Sequence, residues 1–170
     1  MILPAGFFNR DTSKVAGELI GKFLVCRSNG KKTARIITEV EAYDGFRDRA
    51  SHAFHGRTVR TEPMFGSAGF WFVYFTYGIH WMLNAVTRGK NYPAAVLIRG
   101  VENINGPARV TKFLGIDKSF NARPISRGTG LWIEDRGVII PSKEIIRSAR
   151  VGVGYAGEYW AKRKWRFSLK

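Results

Sequence analysis

The stretch GFWFVYFTYGIHWMLN, residues 69–84, decides how this chain folds. Large aromatic side chains follow one another from Phe70 onward, so a β-strand here would carry rings on both faces, and Tyr77-Gly78 favours a tight turn. We therefore predict two strands that meet at Tyr77 and form a hairpin with most of its rings buried. Tyr77 itself would lie at the turn. A large ring there indicates contact with another molecule, unless it is a tyrosine of the core.

The net charge of the chain indicates the chemistry of its partner. Its 170 residues include 28 Lys and Arg but 13 Asp and Glu, which gives a formal charge of +15. This excess is larger than solubility requires and favours a polyanionic partner. The sequence contains no basic amphipathic helix and no apolar run of about 18 residues, so we expect no membrane partner and predict nucleic acid.

Length and cysteine content bound the organisation of the chain. A protein of this length is expected to form one domain, residues 1–170. The single cysteine, Cys26, cannot form an internal disulfide, and its apolar neighbours predict a buried thiol without a chemical role. We expect a cytoplasmic, nucleoid-associated protein of a prokaryote.

Two short helices are predicted from the signals at their ends. The segment Asp11-Thr12-Ser13 provides an N-cap for a helix that ends at Gly21 and has an apolar inward face. A second helix is expected over residues 108–114, because Pro107 suits the first helical position and Gly115 suits the end.

The strand after Asn29-Gly30 has an unusual polar pattern. Asn-Gly favours a type I′ turn, so residues 22–28 and 31–43 are predicted to pair as antiparallel strands. Alternation of side chains would put an apolar set on the inward face and a partly acidic set on the outer face. The inward set is Ile36, Thr38, Val40 and Ala42, and the outer set is Ile37, Glu39, Glu41 and Tyr43.

The remaining segments predict an α+β fold. Residues 44–63 read as a long loop, and AAVLIRGV, residues 94–101, predicts a buried strand that carries one charged residue, Arg99. Residues 131–133 and 138–140 are expected to form short strands around an Asp-Arg-Gly turn. Together these elements predict one α+β domain with mainly antiparallel strands.

Glu41 and Arg99 are the strongest candidates for chemistry, and His52 and Asn84 are further polar residues in apolar or aromatic surroundings. A guanidinium in a buried strand needs an anion, and Glu41 is the nearest candidate. Two structural interpretations are open: a carboxylate on the strand surface, or an ion pair that only stabilises the fold. In the functional alternative the carboxylate lies beside the arginine in a pocket and activates water as a general base.

Metal and nucleotide-cofactor chemistry are not expected. The three histidines, His52, His55 and His80, have neither the HExxH spacing nor the cysteine partners of a zinc site. The run RVGVG, residues 150–154, lacks the rest of a dinucleotide fingerprint and predicts a tight backbone bend. We therefore predict no metal and no cofactor.

Several segments, in the same order along the chain, resemble the alkyladenine family of DNA glycosylases, also called 3-methyladenine DNA glycosylases. They are EVEAYDG (39–45) followed by His52, MFGSAGFWFVYFTYGIHWMLN (64–84), VLIRG (96–100), NGPARV (105–110) and ARVGVGYAGE (149–158). The resemblance covers nearly the whole chain. It implies a single glycosylase domain with a strongly curved, open-barrel-like antiparallel sheet, surrounding helices and no metal.

The resemblance also implies a base-excision-repair enzyme. Such a monofunctional glycosylase flips alkylated or deaminated purines out of double-stranded DNA and hydrolyses the N-glycosidic bond, leaving an abasic site. Glu41 would activate the attacking water and Arg99 would help to hold it. Tyr77 would intercalate through the minor groove and fill the gap that the flipped nucleotide leaves. The base pocket would consist of Tyr43, His52 and Tyr74, which sandwich the base, and Asn84, which crowds the 2-position of the purine.

Contacts with DNA are expected from basic side chains and from the residue next to the wedge. Ile79 stands where some relatives have methionine, and the chain ends at Lys170, where a longer C-terminal tail is expected. The residues nominated for DNA contact are Ile79, Arg57, Arg60, Lys162, Arg163 and Lys164. We expect a monomer. The alternative to an enzyme is a non-catalytic module that uses the same charge and wedge to bind the minor groove or bend DNA.

Overall fold

The computed structural model describes residues 1–28 and 30–170, which form nine β-strands and four α-helices. The strands are β1 (Phe23–Ser28), β2 (Lys31–Asp44), β3 (Trp71–Thr76), β4 (His80–Val86), β5 (Ala94–Val101), β6 (Ile104–Asn105), β7 (Leu131–Glu134), β8 (Ile145–Ser148) and β9 (Arg166–Leu169). The helices are α1 (Ala5–Phe8), α2 (Thr12–Leu19), α3 (Pro107–Leu114) and α4 (Glu158–Ala161). The predicted Asn29-Gly30 turn includes residue 29, which lies outside the described residues.

The strands form one antiparallel sheet that is not closed. Its main path runs β3-β4-β5-β2-β1-β7, with β6 beside β5 and the pair β9–β8 attached to β2. The predicted α+β class with a curved, open antiparallel sheet is confirmed. Among the described helices, none is long and apolar enough to cross a membrane.

β2 joins the two halves of the sheet. Its first part pairs with β1, and its last part lies between β5 and β9. The pairing with β5 shifts register around Glu39, and such a bulge breaks the alternation of side chains. Ile37 therefore lies in the core with Val40 and Ala42, whereas Ile36 is only partly buried. The predicted faces are wrong for these two isoleucines.

The aromatic hairpin is confirmed. β3 and β4 pair from Trp71 opposite Ala85 to Thr76 opposite His80, so three residues, 77–79, connect the strands. The N–H of Ile79 donates to the carbonyl of Thr76 at 3.2 Å, which closes a turn centred on Tyr77 and Gly78. Their φ angles are 52° and 67°, and a type I′ turn requires positive φ at both positions. The base of the hairpin is buried and its tip projects into solvent.

The two predicted helices are α2 and α3. Asp11 caps α2 by accepting a hydrogen bond from the backbone N–H of Lys14 at 3.1 Å. Helix α3 begins at Pro107 and is followed by Gly115, whose φ of 65° is the left-handed conformation that ends many helices. The predicted loop 44–63 contains a short 3₁₀ helix, His52–His55, and a second, Glu62–Phe65, begins at its end.

The predicted strand over residues 138–140 is wrong. One edge of β7 pairs with β1, and the N-terminal leader occupies the other edge through an Ile2–Glu134 bridge and a 2.9 Å bond from Leu3 N–H to the carbonyl of Ile133. Residues 138–140 therefore have no edge of β7 to join. The strand that does form in this region is β8, which pairs with β9.

Candidate active site

A cavity of about 500 Å³ opens between the aromatic hairpin, β5 and the loops around residues 49–55 and 151–155. This volume lies within the range of roughly 300–1,000 Å³ that is typical of small-molecule sites. The cavity brings together most of the site residues predicted from the sequence. Tyr43, His52, Tyr74, Tyr77, Asn84 and Arg99 all line it.

Glu41 lies directly behind the wall of this cavity and is fully buried, at 0 % exposure. Its Oε1 accepts a hydrogen bond from the backbone N–H of Val151 at 2.7 Å, and its Oε2 accepts one from the Tyr43 hydroxyl at 2.8 Å. Nε of Arg99 is 3.4 Å from Oε1. These three partners all line the cavity. Glu41 is therefore not a carboxylate on the strand surface.

The environment of Glu41 favours proton uptake. Burial raises the pKa of Glu41, although the charges of Arg99 and Arg150 and the hydrogen bonds from Val151 and Tyr43 oppose the shift. A raised pKa brings a carboxylate closer to the range in which it can act as a general base near neutral pH. Burial, and then the neighbouring Glu41 charge, raise the pKa of Tyr43 well above its ordinary value, so its hydroxyl stays a donor.

Arg99 has a second acidic partner that is closer than Glu41. Its Nε donates to Oε1 of Glu39 at 3.0 Å, and the same oxygen accepts from Nε of Arg166 at 2.6 Å. On β5, the residues before and after Arg99 pair with Val40 and Glu39 of β2, across the bulge. Both Glu39 and Glu41 therefore lie close to the Arg99 side chain. The expectation that Glu41 is the nearest anion is therefore wrong. Arg99 keeps an ionic partner even when Glu41 is neutral.

Aromatic rings form the wall opposite Tyr43. The His52 and Tyr74 rings meet edge to face with centroids 4.7 Å apart, and Cζ of Arg60 lies 5.0 Å from the Tyr74 centroid. Burial, followed by the charge of Arg60, lowers the pKa of His52, which favours a neutral imidazole. Burial raises the pKa of Tyr74 to about 12. Both shifts favour the neutral, π-electron-rich forms of the His52 and Tyr74 rings.

Asn84 is buried at the side of the cavity. Its Nδ2 donates to the carbonyl of Phe72 at 3.1 Å and to that of Met82 at 3.4 Å. Both acceptors belong to the hairpin, because Asn84 lies opposite Phe72 in the β3–β4 pairing. These bonds orient the amide, so Asn84 forms a rigid part of the wall.

The hairpin tip projects beside the mouth of the cavity. Tyr77 is 87 % exposed and Ile79 is 68 % exposed. A left-handed φ costs a non-glycine residue roughly 1–2 kcal/mol, and an exposed ring recovers little of this by packing. Stability therefore does not explain a tyrosine at this turn.

The nominated basic residues have different surroundings. Arg60 does not line the cavity but lies against Tyr74, which does, and its Nη2 donates to the carbonyl of Phe75 at 3.3 Å. Arg57 is engaged within the protein by Glu62 and Asn91. The other three follow α4, away from the cavity lining: Lys162 pairs with Glu158, Arg163 stacks on Trp165, and Lys164 is exposed.

Sequence reasoning missed the residues that fix Glu41 from the far side of the cavity. These are the N–H of Val151 and the buried ion pair between Arg150 and Asp48, both side chains of which are 0 % exposed. The glycine-rich bend at residues 150–154 was the sequence signal for the Val151 N–H, because a bend can expose a backbone N–H. Asp48 lies in a charged loop, where its sequence neighbours do not distinguish it. Within the described chain, no cluster of three or more His, Cys, Asp or Glu side chains could hold a metal.

Comparison with known proteins identifies the family. The family model described as Methylpurine-DNA glycosylase (MPG) matches residues 6–106 and 101–170, which together cover almost the whole chain. This chain belongs to the methylpurine-DNA glycosylase family. The resemblance noted in the sequence is confirmed.

Bacterial relatives in this family share more than two fifths of the sequence. A protein of Rickettsia peacockii (strain Rustic) is 46 % identical over 158 residues, covering 89 % of this chain and 82 % of the relative. A protein of Anaeromyxobacter dehalogenans (strain 2CP-1) is 42 % identical over 178 residues, covering 100 % of this chain and 83 % of the relative. Both carry the name "Putative 3-methyladenine DNA glycosylase".

Proposed function

We propose that this protein is a DNA glycosylase that removes alkylated purines, 3-methyladenine among them, by hydrolysing the N-glycosidic bond with an activated water. One observation carries the proposal: a fully buried glutamate lies behind the wall of an aromatic cavity, next to an exposed tyrosine at a hairpin tip. Membership of the methylpurine-DNA glycosylase family and the names of the relatives support it.

Double-stranded DNA is the proposed partner. The formal charge of +15 favours the phosphate backbone. An enzyme cannot reach the glycosidic bond of a stacked base, so the nucleotide must leave the helix first. Tyr77 would enter the minor groove and fill the space of the flipped nucleotide. Ile79, in the same turn, and Arg60, which bonds to the carbonyl of Phe75 on β3, would support the wedge.

The cavity is suited to a cationic purine. Electron-rich ring faces attract a positive charge, and Tyr43 and Tyr74 provide two such rings. The lowered pKa of His52 favours the neutral imidazole, which does not repel a cationic base. The oriented Asn84 amide would crowd an exocyclic group at the 2-position and disfavour guanine. The same shape admits deaminated adenine, hypoxanthine, because it also lacks that group.

The proposed reaction is a displacement by water at C1′ of the sugar. Glu41 takes a proton from the water, the water oxygen bonds to C1′, and the C1′–N bond breaks with its electrons moving to the purine. A methylated, cationic purine leaves as a neutral base, so it needs less assistance than hypoxanthine. Arg99 would hold the water and compensate the negative charge around it. Among the described residues that line the cavity, none is a lysine, which supports a monofunctional enzyme without a lyase step.

The deciding experiment measures base release. The protein is incubated with duplex DNA that contains 3-methyladenine, and the free base is separated from the polymer and quantified. We expect release of the base and formation of alkali-labile abasic sites. If the protein bound the duplex but released no base, it would be a non-catalytic module that binds or bends DNA. That result would overturn the proposal.

A further inference from the structure

Arg150 and Asp48 form a buried bidentate ion pair on the far side of β2 from Arg99. Nη1 of Arg150 donates to Oδ2 of Asp48 at 2.6 Å, and Nη2 donates to Oδ1 at 2.9 Å. The same two oxygens accept the backbone N–H groups of Asp44 at 3.2 Å and Ala50 at 3.1 Å. Asp48 is thus saturated with donors, which makes it a rigid anchor for the guanidinium.

The guanidinium is linked to both hydrogen bonds that hold the Glu41 carboxylate. Nη1 of Arg150 also donates to the carbonyl of Ala42 at 2.9 Å, and Ala42 separates Glu41 from Tyr43. Cζ of Arg150 lies 4.7 Å from the centre of the Tyr43 ring, whose hydroxyl bonds to Glu41. The next residue, Val151, supplies the N–H that bonds to the other oxygen of Glu41.

The pair is an inefficient means of stabilising the fold. Among the buried side-chain nitrogen and oxygen atoms of the described residues, Nε of Arg150 has no hydrogen-bond partner. A buried donor without a partner costs free energy, and replacing a buried ion pair by apolar side chains is often neutral or stabilising. The presence of this ion pair is therefore better explained by the geometry that it imposes on neighbouring residues.

We propose that Arg150, anchored by Asp48, is a positioning residue that orients the Glu41 carboxylate for the attacking water. This inference rests on the proposed function and deepens it. β9 pairs with β2 as far as Glu41, and Arg150 takes the next free carbonyl, that of Ala42. The guanidinium therefore contacts the backbone next to Glu41 and the ring of Tyr43, and Arg150 directly precedes Val151.

Charged and titratable groups surround Glu41 on several elements, among them Arg150 and, on β9, Arg166, which lies opposite Glu41 in register and bonds to Glu39. The others are Arg99 on β5, Glu39 and Tyr43 on β2, Tyr74 on β3 and Tyr155 in the segment after Arg150. The charge of Arg150 lowers the pKa of Glu41 against the larger effect of burial. Removing it would raise that pKa further. The acidic limb of the pH–rate profile, where Glu41 becomes protonated, would then move to higher pH.

The test compares single-turnover excision of hypoxanthine by the wild-type protein and by the double variant Asp48→Asn/Arg150→Met. Both charges are removed together, because Arg150→Met alone would leave a buried carboxylate without its counter-ion. Asparagine retains an oxygen that can accept from the N–H of Ala50. We expect the rate to fall about 10²-fold, the scale of a 1 Å misplacement of a reacting group. The acidic limb should move to higher pH, with abasic-duplex affinity and melting temperature close to wild type.

The matched control is Asp44→Asn/Arg88→Met. Arg88 bonds to Asp44 through two nitrogens, at 3.1 and 2.7 Å, near the same end of β2, but neither side chain lines the cavity. The control is expected to keep the wild-type rate and acidic limb. Arg150→Lys retains the charge without the planar fork, so it should keep the acidic limb near wild type and still lose rate.

The outcomes distinguish this inference from the proposed function. Base release by the wild-type protein tests the function by itself. If the wild-type protein is active and the folded double variant matches it in rate and acidic limb, Arg150 has no positioning role. Wild-type excision by Arg150→Lys would likewise overturn the requirement for its bidentate geometry.

Discussion

Glu41 lies behind the wall of the cavity and Tyr77 lines its mouth, so the two residues have opposite environments. Glu41 is 0 % exposed and contacts Val151, Tyr43 and Arg99, whereas Tyr77 is 87 % exposed at a turn with positive φ. Acids are rarely buried, and type I′ turns favour Asn and Gly over an aromatic ring. Both residues are therefore costly for the fold, but for different reasons. The buried residue is suited to chemistry and the exposed one to contact with DNA.

The comparison predicts that changes at the two positions have separable effects. A change at Glu41 should affect bond cleavage without affecting binding. A change at Tyr77 should affect binding without unfolding the protein. A variant at either position that altered both properties equally would remove the distinction.

Glu41→Gln is expected to have the largest effect. Glutamine has nearly the same volume but cannot take a proton from water, so excision of hypoxanthine should fall at least ~10²-fold. Affinity for the lesion duplex should be largely retained. A cationic lesion should lose less rate, because its base is already a good leaving group. Single-turnover excision on both substrates measures the difference.

Glu39→Gln provides the control for this variant. Glu39 lies on the same face of β2 and is the closer partner of Arg99, at 3.0 Å. If Glu41 served only to balance Arg99, both substitutions would lower the melting temperature and neither would act selectively on excision. We expect Glu41→Gln to remain folded and inactive and Glu39→Gln to lose less rate. A stable Glu41→Gln protein with wild-type rates on hypoxanthine would contradict the role of a general base.

Tyr77→Asn should weaken binding to a lesion or abasic-site duplex by roughly 5- to 150-fold, because stacking of one base on an aromatic ring is worth about 1–3 kcal/mol. Asparagine tolerates the left-handed φ better than tyrosine, so the melting temperature should not fall. Fluorescence anisotropy and thermal melting measure the two effects. Ile139→Ala is the control, since Ile139 is 88 % exposed but does not line the cavity. A large loss of stability in Tyr77→Asn without a selective loss of binding would contradict the wedge role.

Asn84→Ser should raise the ratio of 7-methylguanine to hypoxanthine excision by roughly 10-fold. This is the lower end of the range for small changes in the shape of a pocket. Serine is shorter, so a purine with a 2-amino group would clash less with the cavity wall. The measurement is the ratio of 7-methylguanine to hypoxanthine excision. An unchanged ratio would mean that Asn84 does not contact the 2-position.

The smallest expected effect is on stability as a function of pH. The pKa of Glu41 is raised by burial in the folded protein, so the charged carboxylate opposes folding at neutral pH, and this cost disappears as pH falls through the raised pKa. Glutamine carries no such cost. The melting temperature of Glu41→Gln relative to wild type should therefore be higher at neutral pH than at pH 4. A difference that does not change with pH would contradict the raised pKa.

Local signals were sufficient to predict much of the fold. The cap at Asp11, Pro107 at a first helical position and the Tyr77-Gly78 turn each act over a few residues, and each was predicted correctly. The buried strand 94–101 was predicted from its apolar composition. Most of the catalytic and base-pocket residues named from the sequence line one cavity, but their roles remain predictions.

Other features depended on residues that are distant in sequence. The strand expected at 138–140 does not form, because the N-terminal leader occupies the edge of β7. The bulge near Glu39 puts Ile37 in the core and leaves Ile36 partly exposed, the reverse of the prediction. Alternation of side chains within one strand cannot reveal a register shift against the neighbouring strand.

The sequence by itself determined the aromatic hairpin, the excess positive charge and the presence of an acid in one predicted strand and an arginine in another. Only the tertiary structure decided how these groups are paired. It placed Glu39 closer to Arg99 than Glu41 is, and it joined Arg150 to Asp48 across 102 positions of the chain. Periodicity and capping report interactions between residues close in sequence, whereas the partner of a buried charge is set by which strands and loops pack together.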